Sequence, residues 1–321
     1  MADRIDFDVI IPAYNAEAFL SEALDGIVNQ TVLPKRVIVI DDGSTDSTPA
    51  IASTCSPLVT CISQPNSGQG LARRHAISLS NSPWIALCDS DDIWNIDHLE
   101  RRCELIATFP DAQFTFSDCY SFGPASERGY RLSSEAPADW ENNWKRQVRD
   151  DFFQLTDPYR AFLKFNPAFP SGIAFRRDAY QRMGGFLPKY SRWIGEDTEF
   201  IRRFLLMPDI VVAGDSQTTW GYRRHANNYS KIQWENILSK ATILQEHLDL
   251  GLIPSLYHAD TQHEIRRALI RAFEHAYQSG NFEAACTLYR QLPGELESFK
   301  SFIKFLIASS SSLSRRIFKN G

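Results

Sequence analysis

Four short apolar runs, separated by stretches of helical period, fill the first hundred residues, and this alternation constrains the fold more than any other feature of the chain. Phe7 to Ile11 is the first run, closed by Pro12. From Ala16 to Val28 the apolar positions Phe19, Leu20, Ala23, Leu24, Ile27 and Val28 fall on one helical stripe. Val37 to Ile40, Val59 to Ile62 and Trp84 to Cys88 read as further strands, with helices over Thr48 to Thr54 and Leu71 to Leu79. Strands alternating with helices build a mostly parallel sheet, and ligands bind such sheets outside the carboxyl ends of the strands. Three of those ends are distinctive: Pro12-Ala13-Tyr14-Asn15, Asp41-Asp42-Gly43-Ser44 and Asp89-Ser90-Asp91-Asp92. The three loops are expected to converge on one ligand.

Farther along, a helix near Leu99 to Phe109 and a strand near Phe114 to Ser117 precede a polar stretch, Gly123 to Asp157, which carries Trp140 and Trp144 and reads as a long loop or insertion. Gly172 to Arg176 is a strand, Gly184-Gly185 a turn, and Glu196 to Leu206 a helix with Phe200 and Phe204 one turn apart. Beyond Trp234 only helical patterns remain, including His263 to Tyr277 and Phe282 to Leu292. There the segment AFEHAYQSGNFEAACTLYRQL resembles a single tetratricopeptide-like hairpin, one copy being too few for a repeat array.

With 34 basic and 39 acidic residues the formal net charge is −5, which argues against nucleic acid as a partner. Six cysteines are scattered without a CxxC pair, the pattern of reduced thiols rather than of a zinc site or a disulfide framework. The polar start MADRIDFD carries no signal peptide and no run of about 18 apolar residues exists, so a cytoplasmic location is expected. Phe299 to Gly321 sets Lys300, Lys304, Arg315, Arg316 and Lys319, with no acid, beside Phe299, Phe302, Ile303 and Leu306 at helical spacing. Such a segment either packs on the protein or lies on the inner, anionic face of a membrane as a peripheral contact.

Asp89 and Asp91, one residue apart on a turn, suit a hard cation such as Mg²⁺ or Mn²⁺, which takes one or two carboxylates and fills its shell with phosphate and water. They suit equally the start of the next helix. A carboxylate of the Asp41 to Asp46 turn can accept hydrogen bonds from a nucleobase or ribose, and an Asx turn with Gly43 at positive φ is compatible with that. Glu196 and Asp197 open a helix whose dipole keeps a carboxylate ionised. A Mg²⁺-dependent phosphatase also places Asp-x-Asp after an apolar strand, but on its first strand, and no later Lys and Gly-Asp-Gly set follows here. A nucleotidyltransferase needs a glycine-rich phosphate loop after strand one, which Pro12-Ala13-Tyr14-Asn15 cannot supply. A non-catalytic nucleotide-sugar-binding module remains the alternative from a different class.

DVIIPAYNAEAFL, VIVIDDGSTDST, NSGQGLARRHAI and IALCDSDDIW, followed by IAFRRDAYQRMGGF, GEDTEF and YRRHANNYS, resemble the signature series of glycosyltransferase family 2 in order and spacing over roughly residues 7 to 230. The resemblance implies a GT-A type, Rossmann-like mostly parallel sheet flanked by helices, with a C-terminal helical extension. It divides the chain into a GT-A domain over 1–233, with a nucleotide-sugar half to about residue 110 and an acceptor half beyond, and an extension over 234–321. It implies an inverting transferase that uses Mn²⁺ or Mg²⁺ and moves a sugar from a nucleotide diphosphate donor, a UDP-sugar, to a hydroxyl of a bacterial surface saccharide or lipid-linked acceptor. By the same resemblance Pro12, Ala13, Tyr14, Asp42, Arg73, Asp89 and Ser90 hold the nucleotide sugar, although Arg73 also reads as a surface helix arginine. Asp91, Asp89 and His225 are the expected metal ligands, with His225 alternatively structural. Asp197 is the expected general base with Glu196 beside it, and Trp220 either lines the acceptor pocket or packs. Specificity is expected in Gly123 to Asp157 and around Asn166 to Ser171.

Overall fold

The computed structural model describes residues 5–124, 126, 131–149, 151–225, 232–291, 304, 305, 307 and 309. The chain divides into two units, 1–226 and 227–321. In the first, β1 (Phe7–Ala13), β2 (Arg36–Asp41), β3 (Val59–Ser63) and β4 (Trp84–Leu87) pair in parallel in the order β3-β2-β1-β4. Helices α1 (Leu20–Val28), α2 (Thr48–Cys55) and α3 (Gln69–Ser78) make the crossovers. Leu20, Ala23, Leu24 and Ile27 are the buried face of α1, as the stripe requires. Pro12 does not stop β1, which runs on to Ala13. The last residue of β4, Leu87, pairs with Ile10, so β1 has only β2 beside it where the proline lacks its N–H.

The sheet then continues through β9 (Ile173–Arg176), β6 (Phe114–Phe122), β10 (Val212–Arg223), β8 (Phe152–Leu155) and β7 (Trp144–Gln147), while β5 (Ile93–Trp94) pairs with β10. Its helices are α4 (His98–Thr108), α5 (Arg131–Glu135), α6 (Pro158–Lys164), α7 (Arg177–Met183) and α8 (Glu196–Leu205). Here β6 and β10 are parallel, but β9 runs against β4 and β6, and β7 and β8 form an antiparallel pair. The sheet is therefore mixed rather than mostly parallel. A four-residue link joins β7 to β8, far too short for the crossover that parallel strands need.

Two further expectations change in this half. Gly123 to Asp157 is not a loop throughout, because it contributes two strands: Phe152 and Phe153, successive residues that point to opposite faces, are both fully buried. The longest strand, β10, carries no apolar run. Its polar Asp215 is buried and bonded to Arg101 Nε at 2.8 Å, and Gly214 is required because a Cβ there would stand 2.3 Å from the Phe153 ring. Facing the sheet, α8 sets Phe200 and Phe204 against Phe175, at 5.2 and 5.7 Å between ring centroids.

In the second unit α9 (Gln233–Asp249), α10 (His258–Gln278) and α11 (Phe282–Gln291) share a core of Ala272, Phe273, Ala276, Ala285, Leu288 and Tyr289. The tetratricopeptide-like stretch thus forms a helical hairpin. Phe299, Phe302, Ile303 and Leu306 lie outside the described residues. Within reach of description, Phe305 stacks on Tyr289 at 4.4 Å and Lys304 meets Glu274 at 3.4 Å. No helix among the described residues is long and apolar enough to cross a membrane.

Candidate active site

Because β2, β1 and β4 are neighbours, their carboxyl ends stand side by side. The first two loops clasp each other: Asn15 N donates to Ser44 Oγ at 2.9 Å, and Asn15 Oδ1 accepts from Thr45 N at 2.9 Å. Pro12 and Ala13 belong to the buried strand and can offer only backbone. Tyr14 is 53% exposed, with a ring available to a ligand. Asp42 is placed differently from Tyr14. Its carboxylate is buried and accepts from Gln64 Nε2, Ser67 N and Gly68 N, each at 2.8 Å, so it organises the turn leading into α3.

That turn is closed from the other side by Ser191. Its carbonyl accepts from Gly70 N at 3.3 Å and its hydroxyl accepts from Leu71 N at 2.8 Å. Gly68 sits at φ 88, and a Cβ on it would strike the Ser191 carbonyl oxygen at 2.5 Å. The Gly70 and Leu71 amides at the start of α3 are therefore consumed within the protein rather than offered to a phosphate.

Arg73 is 1% exposed, which removes the surface-arginine reading. Its Nη2 lies 2.5 Å from Asp89 Oδ1 and its Nη1 2.5 Å from Glu196 Oε1. Burial works against its charge, but the two carboxylates outweigh it and hold the guanidinium ionised. Burial pushes the Glu196 carboxyl up to about 7, against the pull of Arg73. Gly195, in the left-handed region at φ 90, turns the chain so that Glu196 and Asp197 both enter the first turn of α8. Asp197 is partly exposed and accepts from Thr198 N at 2.7 Å.

In the aspartate turn after β4, the carboxylates of Asp91 and Asp92 are met by donors other than a guanidinium. Ser171, fully buried, accepts from Asp89 N at 2.9 Å and donates to Asp92 Oδ2 at 2.5 Å. Arg223 N donates to Asp92 Oδ1 at 2.9 Å and Arg223 Nε to the Asp91 carbonyl at 2.6 Å. Ser90 lies partly exposed between these anchored neighbours. Asp91 Oδ2 is 3.0 Å from His225 Nε2, and the His225 ring rests against Phe19 at 4.6 Å. Burial and the charge of Asp89 raise the Asp91 carboxyl, while His225 pulls it down. Burial likewise pushes Asp92 well above the usual range.

Asp91 and His225 fit a divalent cation. Two ligand atoms bound at about 2.1 Å and at right angles lie about 3 Å apart, the separation seen between Oδ2 and Nε2. Asp89 has its Oδ1 on Arg73, and among the described residues no three of His, Cys, Asp and Glu are grouped as a metal site. The remaining positions of a shell would fall to substrate phosphate and water. Trp220 is fully buried with its ring over Gly172, so it packs rather than lines a pocket. Ser171, Ser191 and Arg223 are the contributors that motif reading does not single out. Arg223 belongs to the YRRH segment, whereas the two serines carry no local signal and emerge only from tertiary contact.

The family model described as Glycosyl transferase family 2 matches residues 8–184, just over half of the chain. The chain belongs to glycosyltransferase family 2. Within this family it is similar to the uncharacterized glycosyltransferase YwdF of Bacillus subtilis, 27% identical over 179 residues, 56% of this chain and 60% of the relative. The alignment thus leaves two fifths of that relative unmatched. In structure the family 2 enzyme is similar to S. aureus TarS 1–349 in complex with UDP-GlcNAc, at TM-score 0.63 and 17% identity, over 94% of this chain and 79% of the other. It is also similar to the mannosyltransferase PcManGT of Pyrobaculum calidifontis in complex with GDP-Man and Mn²⁺, at TM-score 0.60 and 18% identity, over 98% and 81%. At these identities the two likenesses establish the α/β fold.

Proposed function

We propose that this glycosyltransferase moves a sugar from a UDP-sugar to an acceptor hydroxyl with inversion, with Asp91 and His225 holding a divalent cation and Asp197 acting as base. The observation that carries the reading is the contrast within one helix turn: Glu196 is buried and paired with Arg73, while its neighbour Asp197 stays partly exposed. Inversion by direct displacement needs a carboxylate near the incoming hydroxyl to take its proton. Asp197 is the acid in this turn that no guanidinium occupies, among the ion pairs described. A bound Mn²⁺ or Mg²⁺ would neutralise charge on the departing diphosphate. Tyr14 offers its ring to the base, Asp42 and Ser191 fix the turn that frames it, and Arg73 locks Asp89 to α8 so that donor and acceptor groups keep one spacing.

The TarS complex supports the uridine donor and the Pyrobaculum complex the cation. We assign transfer to residues 1–233, with a saccharide or lipid-linked saccharide of a bacterial surface as acceptor, and 234–321 as an extension. Its basic end, from Phe299, would hold the enzyme at an anionic membrane. Liposome co-sedimentation unchanged by deletion of 299–321 would reject that anchor. The transfer reading is tested by incubating the full chain with UDP- and GDP-sugars and Mn²⁺. Release of UDP is the expected result. Inorganic phosphate would indicate a phosphatase, GDP alone a different base, and no product a binding module.

A further inference from the structure

Next to Trp140, in the second half of the sheet, lies a cavity of about 690 Å³, within the size range of small-molecule sites. None of Asp89, Asp91, Glu196 and Asp197 lines it, so it is separate from the groups described above. One wall is β6 and β10, with Asp118 and Gln217, and the other is the 131–147 segment, with Trp140 and Trp144. Trp144 stacks on Phe153 at 4.2 Å and 9°, which fixes the orientation of the indole. Its Nε1 is shut off from solvent and bonded to nothing. The amides of Gln147 and Gln217 add exposed donors and acceptors, and Asp118 and Glu141 add carboxylates. No lysine or arginine is among the described lining residues.

We propose that this cavity is a saccharide subsite selective for neutral or amino sugars. Indole surface, side-chain amides and carboxylates match a ring with an apolar face and many hydroxyls, and the acidic lining repels uronates and phosphates. The subsite is tied to the aspartate turn by Asn95, which lies three residues beyond Asp92. Its N donates to Thr219 O at 2.9 Å and its Nδ2 to Thr218 O at 3.0 Å. Thr218 lines the cavity and Arg223 binds the aspartate turn, five residues apart on one strand, a span of at most about 17 Å. An acceptor glycan reaching the transfer site therefore keeps an inner sugar in the cavity, a role that rests on the transferase reading.

The test uses the full chain, without donor, in saturation-transfer NMR with chitotetraose, maltotetraose and a galacturonate tetramer. Chitotetraose or maltotetraose should bind and galacturonate should not. Trp144→Phe keeps an aromatic ring beside Phe153 but removes half of the indole surface and its N–H, and should weaken binding at least threefold; Gln217→Ala should weaken it as well. UDP with Mn²⁺, titrated into the same samples, reports the donor site and the integrity of the fold in each variant. Unchanged oligosaccharide affinity in both variants, no binding of either neutral tetramer, or preference for galacturonate overturns the subsite. Failure of the wild type to bind UDP counts instead against the transferase reading and leaves the saccharide result standing.

Discussion

Two acidic turns lie side by side in this family 2 enzyme, one closing β4 and one opening α8, and they are neutralised by different means. At α8 the protein supplies its own cation: Arg73 sits between Glu196 and Asp89, buried, 2.5 Å from each. At Asp91 the partner is His225, and the buried Asp92 alongside is held by a serine hydroxyl and a backbone N–H. Neutral donors orient a carboxylate without cancelling its charge. Glu196 thus has its cation within the protein, while among the described contacts no guanidinium is bonded to the carboxylates of Asp91 and Asp92, which suits the cation proposed there. In the proposed mechanism Asp197, next to the Arg73–Glu196 pair, is left to exchange a proton.

Asp91→Asn strikes the β4 turn and carries the largest expected effect. A neutral amide is a poor ligand for a hard cation, so Mn²⁺-dependent binding of UDP and transfer should fall together, by two powers of ten or more, in calorimetry and in UDP-release assays. Equal UDP affinity with and without Asp91 would erase the contrast. Arg73→Leu strikes the α8 turn and should act on stability first. It strands Glu196 in the interior, and breaking a buried pair from one side costs about 3–5 kcal/mol, read as a lower midpoint in urea. Ser171→Ala removes a hydroxyl bonded to both Asp89 N and Asp92 Oδ2, so a loss of about 1–3 kcal/mol is expected, with a smaller loss of UDP affinity than Asp91→Asn.

The smallest effect is a pH dependence. Folded, Glu196 keeps its proton up to about 7; unfolded, it releases it near 4.3, roughly the free value. A raised folded value gives stability that is fully present below the unfolded value and lost as pH rises through the folded one. From pH 5 to 7 the wild type should therefore lose stability relative to Glu196→Gln, and parallel melting curves across that window would show that burial does not control this carboxyl.

The loops proposed to meet the donor were legible because their signal is local: β1, β2 and β4 are apolar runs whose ends carry Tyr14, Asp42 and Asp91 within a few residues. The sequence marked these positions, but not that Asp42 would be turned inward onto Ser67 and Gly68. The second half was harder to read. β10 holds its place through Asp215 with Arg101 and through Gly214 under Phe153, contacts between residues far apart in the chain. β7 and β8 hide in a polar stretch whose apolar content is concentrated in Trp140, Phe152 and Phe153. Ser171 and Ser191 matter through what they touch, and a lone serine gives no periodic or motif signal.

The central claim is that Asp197, and not the paired Glu196, is the group that moves the proton. Titrating UDP-sugar with Mn²⁺ into Asp197→Asn, alongside its transfer rate, tests this most directly. Donor affinity within about twofold of wild type, with transfer reduced by two to four powers of ten, is the predicted result. Full transfer activity, or donor binding lost as severely as in Asp91→Asn, would contradict it.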